Sequence, residues 1–375
     1  MSATPVARDV VRSVADAEAL EQPPLIVLEP LEALLDDLGI GKGPLVATLL
    51  GDGHSNVTYL LARGEDRVVL RRPPRPPYAP SAHDVLREAR LMRSLRDCGL
   101  RVPEILAFVE DPEILGVPFV LVEYVAGHVI STAIPPALAG ADTGGRIGEE
   151  LIATLVAIHA ADVTRPPLSA LGKPEGYLER QLKRFETIWA DAATRAIPDV
   201  DALALWLREN LPTSGPATIV HGDFRLGNMI FSARRPPRLC AVLDWELATI
   251  GDPIADVGYL CASWAEPGDE DDPVRALSGA TRGPGFPSRA EICARYAELT
   301  GRDVSAMRWY EVFARWKSAV FLEANYGRYL AGTTHDPYYA TLTEGIPRIA
   351  ANGCERAGIG GAGHDRAHRS RGGHR

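Results

Sequence analysis

The chain has 375 residues, 46% of them apolar, which suits two lobes or domains with sizeable cores and argues against wholesale disorder. Its 40 basic and 49 acidic residues leave a net charge of −9, with no basic block of the kind a nucleic-acid surface needs. Cys98, Cys240, Cys261, Cys293 and Cys354 form no C-x-x-C pair and read as reduced thiols of a cytoplasmic protein, and no window is long and apolar enough to span a bilayer.

Residues 1–42 read as an N-terminal extension, loosely held up to residue 28, with one short helix. That helix places Leu31, Leu34, Leu35 and Leu38 at helical spacing and stops at Gly39. Residues 43–126 carry three strand patterns, "PLVATLL", "NVTYLLAR" and "RVVLRR", the last two joined by the hairpin signal "GED". A Pro-rich loop, a helix starting near Ser81 and stopping at Gly99, and the strands "EILAFVE" and "PFVLVEYV" complete a β-β-β-α-β-β order. From residue 127 to 355 the pattern turns helical, interrupted by two short apolar strands around residues 219–246. The segment "WAEPGDEDDPVRALSGATRGPGFPS" reads as a long polar loop, its acidic run solvated. The following helix places Trp309, Phe313, Trp316 and Val320 on one face, which reads as core. Residues 356–375 read as a disordered tail rich in Gly, Arg and His.

The chemistry concentrates in "IVHGDFRLGNMIF" and "AVLDWELATIGDP", each of which follows an apolar strand. Moving a phosphoryl group requires a cradle for the triphosphate, Mg2+ to neutralise it, and a base to orient the acceptor hydroxyl. Asp223, Asn228 and Asp244 supply one base, one amide ligand and one carboxylate ligand for such an ion. The five-residue step from Asp223 to Asn228 lets one loop present both groups.

"HGDFRLGN" has the form H-x-D-x-x-x-x-N and "LDWE" follows it, so the pair resembles the catalytic and metal-binding motifs of the protein-kinase-like superfamily. Together they look most like the aminoglycoside phosphotransferase and choline kinase branch. Within that branch they are closest to the kinase-like domains found alone in bacteria or fused to acyl-CoA dehydrogenases. The resemblance spans roughly residues 43–350.

It implies an α+β, bilobal protein-kinase-like fold. The small N-lobe would carry an antiparallel sheet and one helix, and the larger C-lobe would be mostly helical. ATP and Mg2+ would be used to phosphorylate a hydroxyl of a small molecule. By motif, Asp223 is the catalytic base, Arg225 reaches the transferring phosphate, and Asn228 and Asp244 bind Mg2+. His221 is a prop for the loop, Trp245 packs beneath it, Asp256 braces it and Asp252 caps the next helix.

In the N-lobe, Val69 lies over adenine and Arg71 reaches the phosphates where the superfamily usually has Lys, with Arg72 left as the alternative register. Glu88, on an apolar helical face, needs a partner, for which Arg71 is the natural choice. Gly53, Ser55 and Asn56 stand at the phosphate loop, although Asn56 replaces its third Gly and a plain hairpin turn would read the same. The backbone of Glu123 and Val125 stands at the adenine hinge. His159 reads as a satisfied buried histidine.

Only eleven residues separate Asp244 from Asp256, too few for an activation segment that docks a peptide, so the acceptor is small. The dehydrogenase-linked domains imply hydroxylated acyl compounds as one acceptor class. Two rival readings stay open: a nucleotide-binding regulator of kinase shape without turnover, and a metal-dependent hydrolase built on His221, Asp223 and Asp244.

Overall fold

A computed structural model describes residues 9–51, 56–76, 84–164, 166–333 and 336–360. The chain divides into two compact units, residues 1–126 and 127–375, and the fold is bilobal α+β.

The first unit is built on a five-stranded antiparallel sheet of order β3-β4-β5-β7-β6, with β3 (Leu45–Leu50), β4 (Val57–Arg63), β5 (Asp66–Arg72), β6 (Ile105–Val109) and β7 (Phe119–Glu123). Gly64, at φ +61°, makes the tight β4–β5 turn. Period-2 burial sorts the side chains: Val68, Leu70 and Arg72 point to the buried face of β5, Val69 and Arg71 to the other. On one side α3 (Val85–Asp97) packs against β6 and β7. Its cap is Asp84, which accepts the Arg87 amide at 2.9 Å; Ser81, the expected cap, lies outside the described residues.

The N-terminal segment is not a loose extension from residue 9 onward. Strands β1 (Val10–Val11) and β2 (Ile26–Val27) pair in parallel around α1 (Val14–Glu18), and α2 (Leu28–Asp37) follows. Leu25, Ile26, Leu31 and Leu35 share one core with Tyr59, Leu61 and Leu70 of the sheet. A helical turn that sequence reading missed, α4 (Pro112–Leu115), stands between β6 and β7, capped by Asp111.

The second unit holds two small antiparallel ribbons: β8 (His128–Val129), β10 (Met229–Phe231) and β11 (Leu239–Val242) form one, and β9 (Thr218–Val220) pairs with β12 (Thr249–Gly251) in the other. Around them lie α5 (Thr143–His159), α6 (Tyr177–Ala192), α7 (Pro198–Glu209), α8 (Ile254–Ser263), α9 (Pro273–Ala276), α10 (Arg289–Thr300), α11 (Met307–Leu330) and α12 (Leu342–Ala357). Trp309, Phe313, Trp316 and Val320 are buried along α11, as their spacing predicts.

The acidic run before α9 departs from its solvated reading. Asp272 is only 3% exposed: it caps α9 and accepts from Arg315 Nη1 and Asn352 Nδ2, each at 2.8 Å. Residues 356 and 357, expected in the tail, belong to α12, which runs to Ala357; residues 361–375 lie outside the described residues. Among the described residues no helix is long and apolar enough to cross a membrane.

Candidate active site

Strand β9 delivers the chain to His221–Gly222–Asp223. Gly222 has φ +88°, and a Cβ there would come within 3.0 Å of the Leu247 Cβ and carbonyl oxygen, so the turn requires glycine. The loop is clamped from α8. Asp256 is fully buried and takes the His221 amide on Oδ2 at 2.7 Å and the Gly222 amide on Oδ1 at 2.8 Å. Burial works against the charge on Asp256, but the hydrogen bonds it receives from His159 and the Gly222 amide help hold the carboxyl below its usual range.

His159 is satisfied at both nitrogens, with Nε2 3.3 Å from Asp256 Oδ2 and Nδ1 2.7 Å from the Tyr296 hydroxyl. Asp252 accepts the Ile254 amide at 3.0 Å at the start of α8 and the Tyr310 hydroxyl at 2.6 Å.

His221 is fully buried against Trp245, with ring centroids 4.6 Å apart. Its Nδ1 accepts the Asp223 amide at 3.2 Å, so Nε2, 2.9 Å from the Leu243 carbonyl, carries the proton. With both nitrogens committed, His221 neither ligates a metal nor moves a proton, and the hydrolase reading loses its histidine.

Asp223 is 18% exposed at its side chain. Asn228 Nδ2 donates to its Oδ2 at 2.7 Å and to its main-chain oxygen at 2.9 Å, while Arg225 Nε stands 3.3 Å from Oδ1. These contacts fix the carboxylate's direction. They also turn the Asn228 amide so that its Oδ1 faces away from Asp223 as an acceptor.

The Leu243 amide donates to the Asn228 carbonyl at 2.8 Å, one rung beyond the β10–β11 ladder, and so brings Asp244 beside Asn228. Asp244 has φ +65°, alone among the non-glycine described residues in lying there, which marks a backbone held by its surroundings. An amide oxygen and a carboxylate fit Mg2+, which takes few protein ligands and keeps its other positions for water and phosphate. Among the described residues no group of three or more His, Cys, Asp and Glu is gathered as a softer metal would require.

In the first unit, Arg71 Nη1 meets Glu88 Oε1 at 2.9 Å, and Glu88 is only 3% exposed, so the expected pair is formed. Arg72 turns to the opposite face, donating to the Pro73 carbonyl at 3.1 Å and to that of Leu25, which leaves Arg71 on the face of Val69. The Glu123 amide is spent on the Glu104 carbonyl at 2.8 Å, whereas no backbone partner is found for Val125 among the described residues. Asn56 is buried, and its Oδ1 finds no hydrogen-bond partner among the described residues. Gly53 and Ser55 lie outside the described residues.

Two residues near Asp223 escaped sequence reading. Tyr259, three residues after Asp256 on α8, has its hydroxyl pushed well above the usual range by burial and then by the Asp223 carboxylate, so it stays protonated as a donor toward Asp223. Lys317 on α11 lies within the electrostatic reach of Asp223 and Asp256. The helical spacing of Asp256 and Tyr259 was available in the sequence; the placement of Lys317 depends on packing between distant helices.

The sequence profile of the phosphotransferase enzyme family matches residues 46–292. The mouse protein named acyl-CoA dehydrogenase family member 10 is 35% identical over 321 residues, covering 82% of this chain and 29% of that protein. The chain therefore spans less than a third of that relative. The crystal structure of a candidate aminoglycoside phosphotransferase from Ralstonia eutropha shares 29% identity at a TM-score of 0.74, covering 88% of this chain and 98% of that one. A thermostable mutant aminoglycoside phosphotransferase, crystallised in a ternary complex with AMP-PNP and hygromycin B, shares the fold at 18% identity and a TM-score of 0.51, covering 92% and 98% of the two chains.

Proposed function

Because the chain belongs to the phosphotransferase enzyme family, we propose that it transfers the γ-phosphoryl group of ATP to a hydroxyl of a small molecule. The observation that carries this reading is the Asp223 carboxylate, aimed by Asn228 and Arg225 in a loop clamped by Asp256. In the step, the acceptor oxygen bonds to the γ-phosphorus as the bond from that phosphorus to the β–γ bridging oxygen breaks. ADP leaves and the hydroxyl proton passes to Asp223.

Asn228 and Asp244 would hold Mg2+, which neutralises phosphate charge when bound. Arg225, forked and permanently charged, stands ready to steady the transferring group. Arg71, oriented by Glu88, takes the nucleotide phosphates, with Val69 on the same strand face for the base and the hinge backbone at Glu123 and Val125. The dehydrogenase name of the mammalian relatives supports a hydroxylated acyl compound as one acceptor class.

The test is Asp223→Asn, which keeps the size and shape of the side chain and removes its charge. Turnover with Mg-ATP, followed by 31P NMR in a metabolite extract, should fall by about 10³-fold. ATP binding, followed by calorimetry, should persist. Wild-type rates in the variant would remove Asp223 as the base. ATP binding by the native chain without any phosphorylated product would favour the non-catalytic regulator.

A further inference from the structure

Helices α6 and α11 pack against each other within the second unit, and Lys317 stands on that seam. Its Nζ lies 4.9 Å from the Phe185 ring centroid on α6 and 5.2 Å from that of Phe313, one turn earlier on α11. Lys317 is half-buried, so part of its surface remains open. Among the described residues no carboxylate pairs with it and no carbonyl accepts from it.

Burial first, and the like charge of Arg184 second, push its ammonium down to about 8, while Asp256 and Asp223 offset this only in part. Arg184 is itself exposed on α6, and it too is unpaired among the described residues. Three carboxylates of these helices are engaged elsewhere: Glu186 with Arg208 at 3.2 Å, Glu323 with Arg195 at 3.3 Å, and Glu311 with Arg356 at 2.6 Å.

In a chain of net charge −9, Lys317 and Arg184 thus stand without a paired carboxylate among the described residues, and Lys317 lies within the electrostatic reach of Asp223. Repulsion between them and loss of hydration both cost stability, and the two aromatic faces and the pull of Asp256 and Asp223 offset only part of it. Phe321, one turn further along α11, adds an apolar surface that is 52% exposed. A cationic acceptor would be repelled here, whereas one bearing an oxyanion would complete the arrangement.

We propose that Lys317 is a specificity-determining residue: its ammonium pairs with a carboxylate or equivalent oxyanion carried by the hydroxylated acceptor, while Asp223 takes the hydroxyl. This rests on the kinase reading of Asp223, so the experiment separates the two. Full-length wild type, Lys317→Met and Lys317→Arg are assayed with Mg-ATP on short-chain hydroxy carboxylates, their matched diols and their matched amino alcohols.

Wild type should prefer the carboxylates. Lys317→Met should lose about 30-fold more kcat/KM on the carboxylate than on the matched diol, the size of one charge-assisted hydrogen bond, chiefly through KM. Lys317→Arg should recover most of that loss. Wild-type preference for diols or amino alcohols, or an equal loss on all three classes, would overturn the proposal.

Melting temperature guards against misfolding: Lys317→Met removes a poorly hydrated charge and should melt at or above wild type. If wild type turns over no acceptor, calorimetric titration of the same hydroxy carboxylates into the ADP-loaded protein decides. Binding that disappears in Lys317→Met sustains the anion site while the kinase reading fails. Absent binding, or binding indifferent to Lys317, ends the proposal.

Discussion

Asp256 spends both carboxylate oxygens on backbone amides of the loop that carries Asp223. An amide in its place offers one acceptor and turns an NH2 group toward a backbone N–H. Asp256→Asn should therefore cost on the order of 2–3 kcal/mol in urea unfolding and reduce kcat without a matching change in the KM for ATP. A variant as active and as stable as wild type would mean the loop holds its shape unaided.

His159, bonded to the same carboxylate, supplies a pH signature. Burial keeps its imidazole below the ordinary 6.5, although Asp256 pulls the other way. The unfolded chain thus takes up a proton near pH 6.5 that the folded chain refuses. The stability tied to neutral His159 is complete above that pH and is lost as pH falls through the lower folded value. Asp256, also held low, adds a loss of the same sign below its ordinary 3.8. Urea midpoints from pH 8 to pH 5 should decline with acid, and His159→Gln should flatten that decline.

Among the elements, α11 carries the largest aromatic load: Trp309, Phe313 and Trp316 are buried and stacked in sequence along it. Trp309 donates its indole N–H to the Leu207 carbonyl at 2.9 Å, whereas the Trp316 indole N–H has no partner among the described residues. Trp316→Ala should cost about 3–5 kcal/mol through the cavity it leaves. Trp316→Phe should recover most of this, while Trp309→Phe strands a carbonyl and should recover less, both read as urea midpoints.

That stripe was legible because its partners are spaced on one helix, and β3, β4 and β5 were legible through alternation and a Gly turn. The contact of Asp223 with Asn228 was legible for the same reason, since one short loop carries both, whereas Asp244 is brought up by the β10–β11 pairing. What stayed hidden depends on distant partners. Strands β1 and β2 are two residues each, too short to show a period, and they are ordered by burial against the sheet. Asp272 looks like one acid in a solvated run until Arg315 and Asn352 fold over it. Lys317 reads as an ordinary helix lysine until α6 brings Phe185 beneath it.

At the scale of the whole molecule, the proposed labour divides between the two units, with Arg71 and Glu88 in the first and Asp223 and Lys317 in the second. Kinetics can read that division without reference to geometry. Arg71→Met removes a phosphate-binding cation and should raise the KM for ATP by about tenfold or more, leaving the preference among acceptors as it was. It also deprives a carboxylate only 3% exposed of its cation, which should cost on the order of 2–3 kcal/mol.

Adding Glu88→Gln removes the charge that was left behind, so the double variant should regain much of the stability and none of the ATP affinity. Lys317→Met should show the converse pattern, a changed acceptor preference at an unchanged KM for ATP. If the double variant instead regains ATP affinity together with its melting temperature, Arg71 serves the first unit's folding and not the nucleotide, and the phosphate-binding cation must be sought elsewhere.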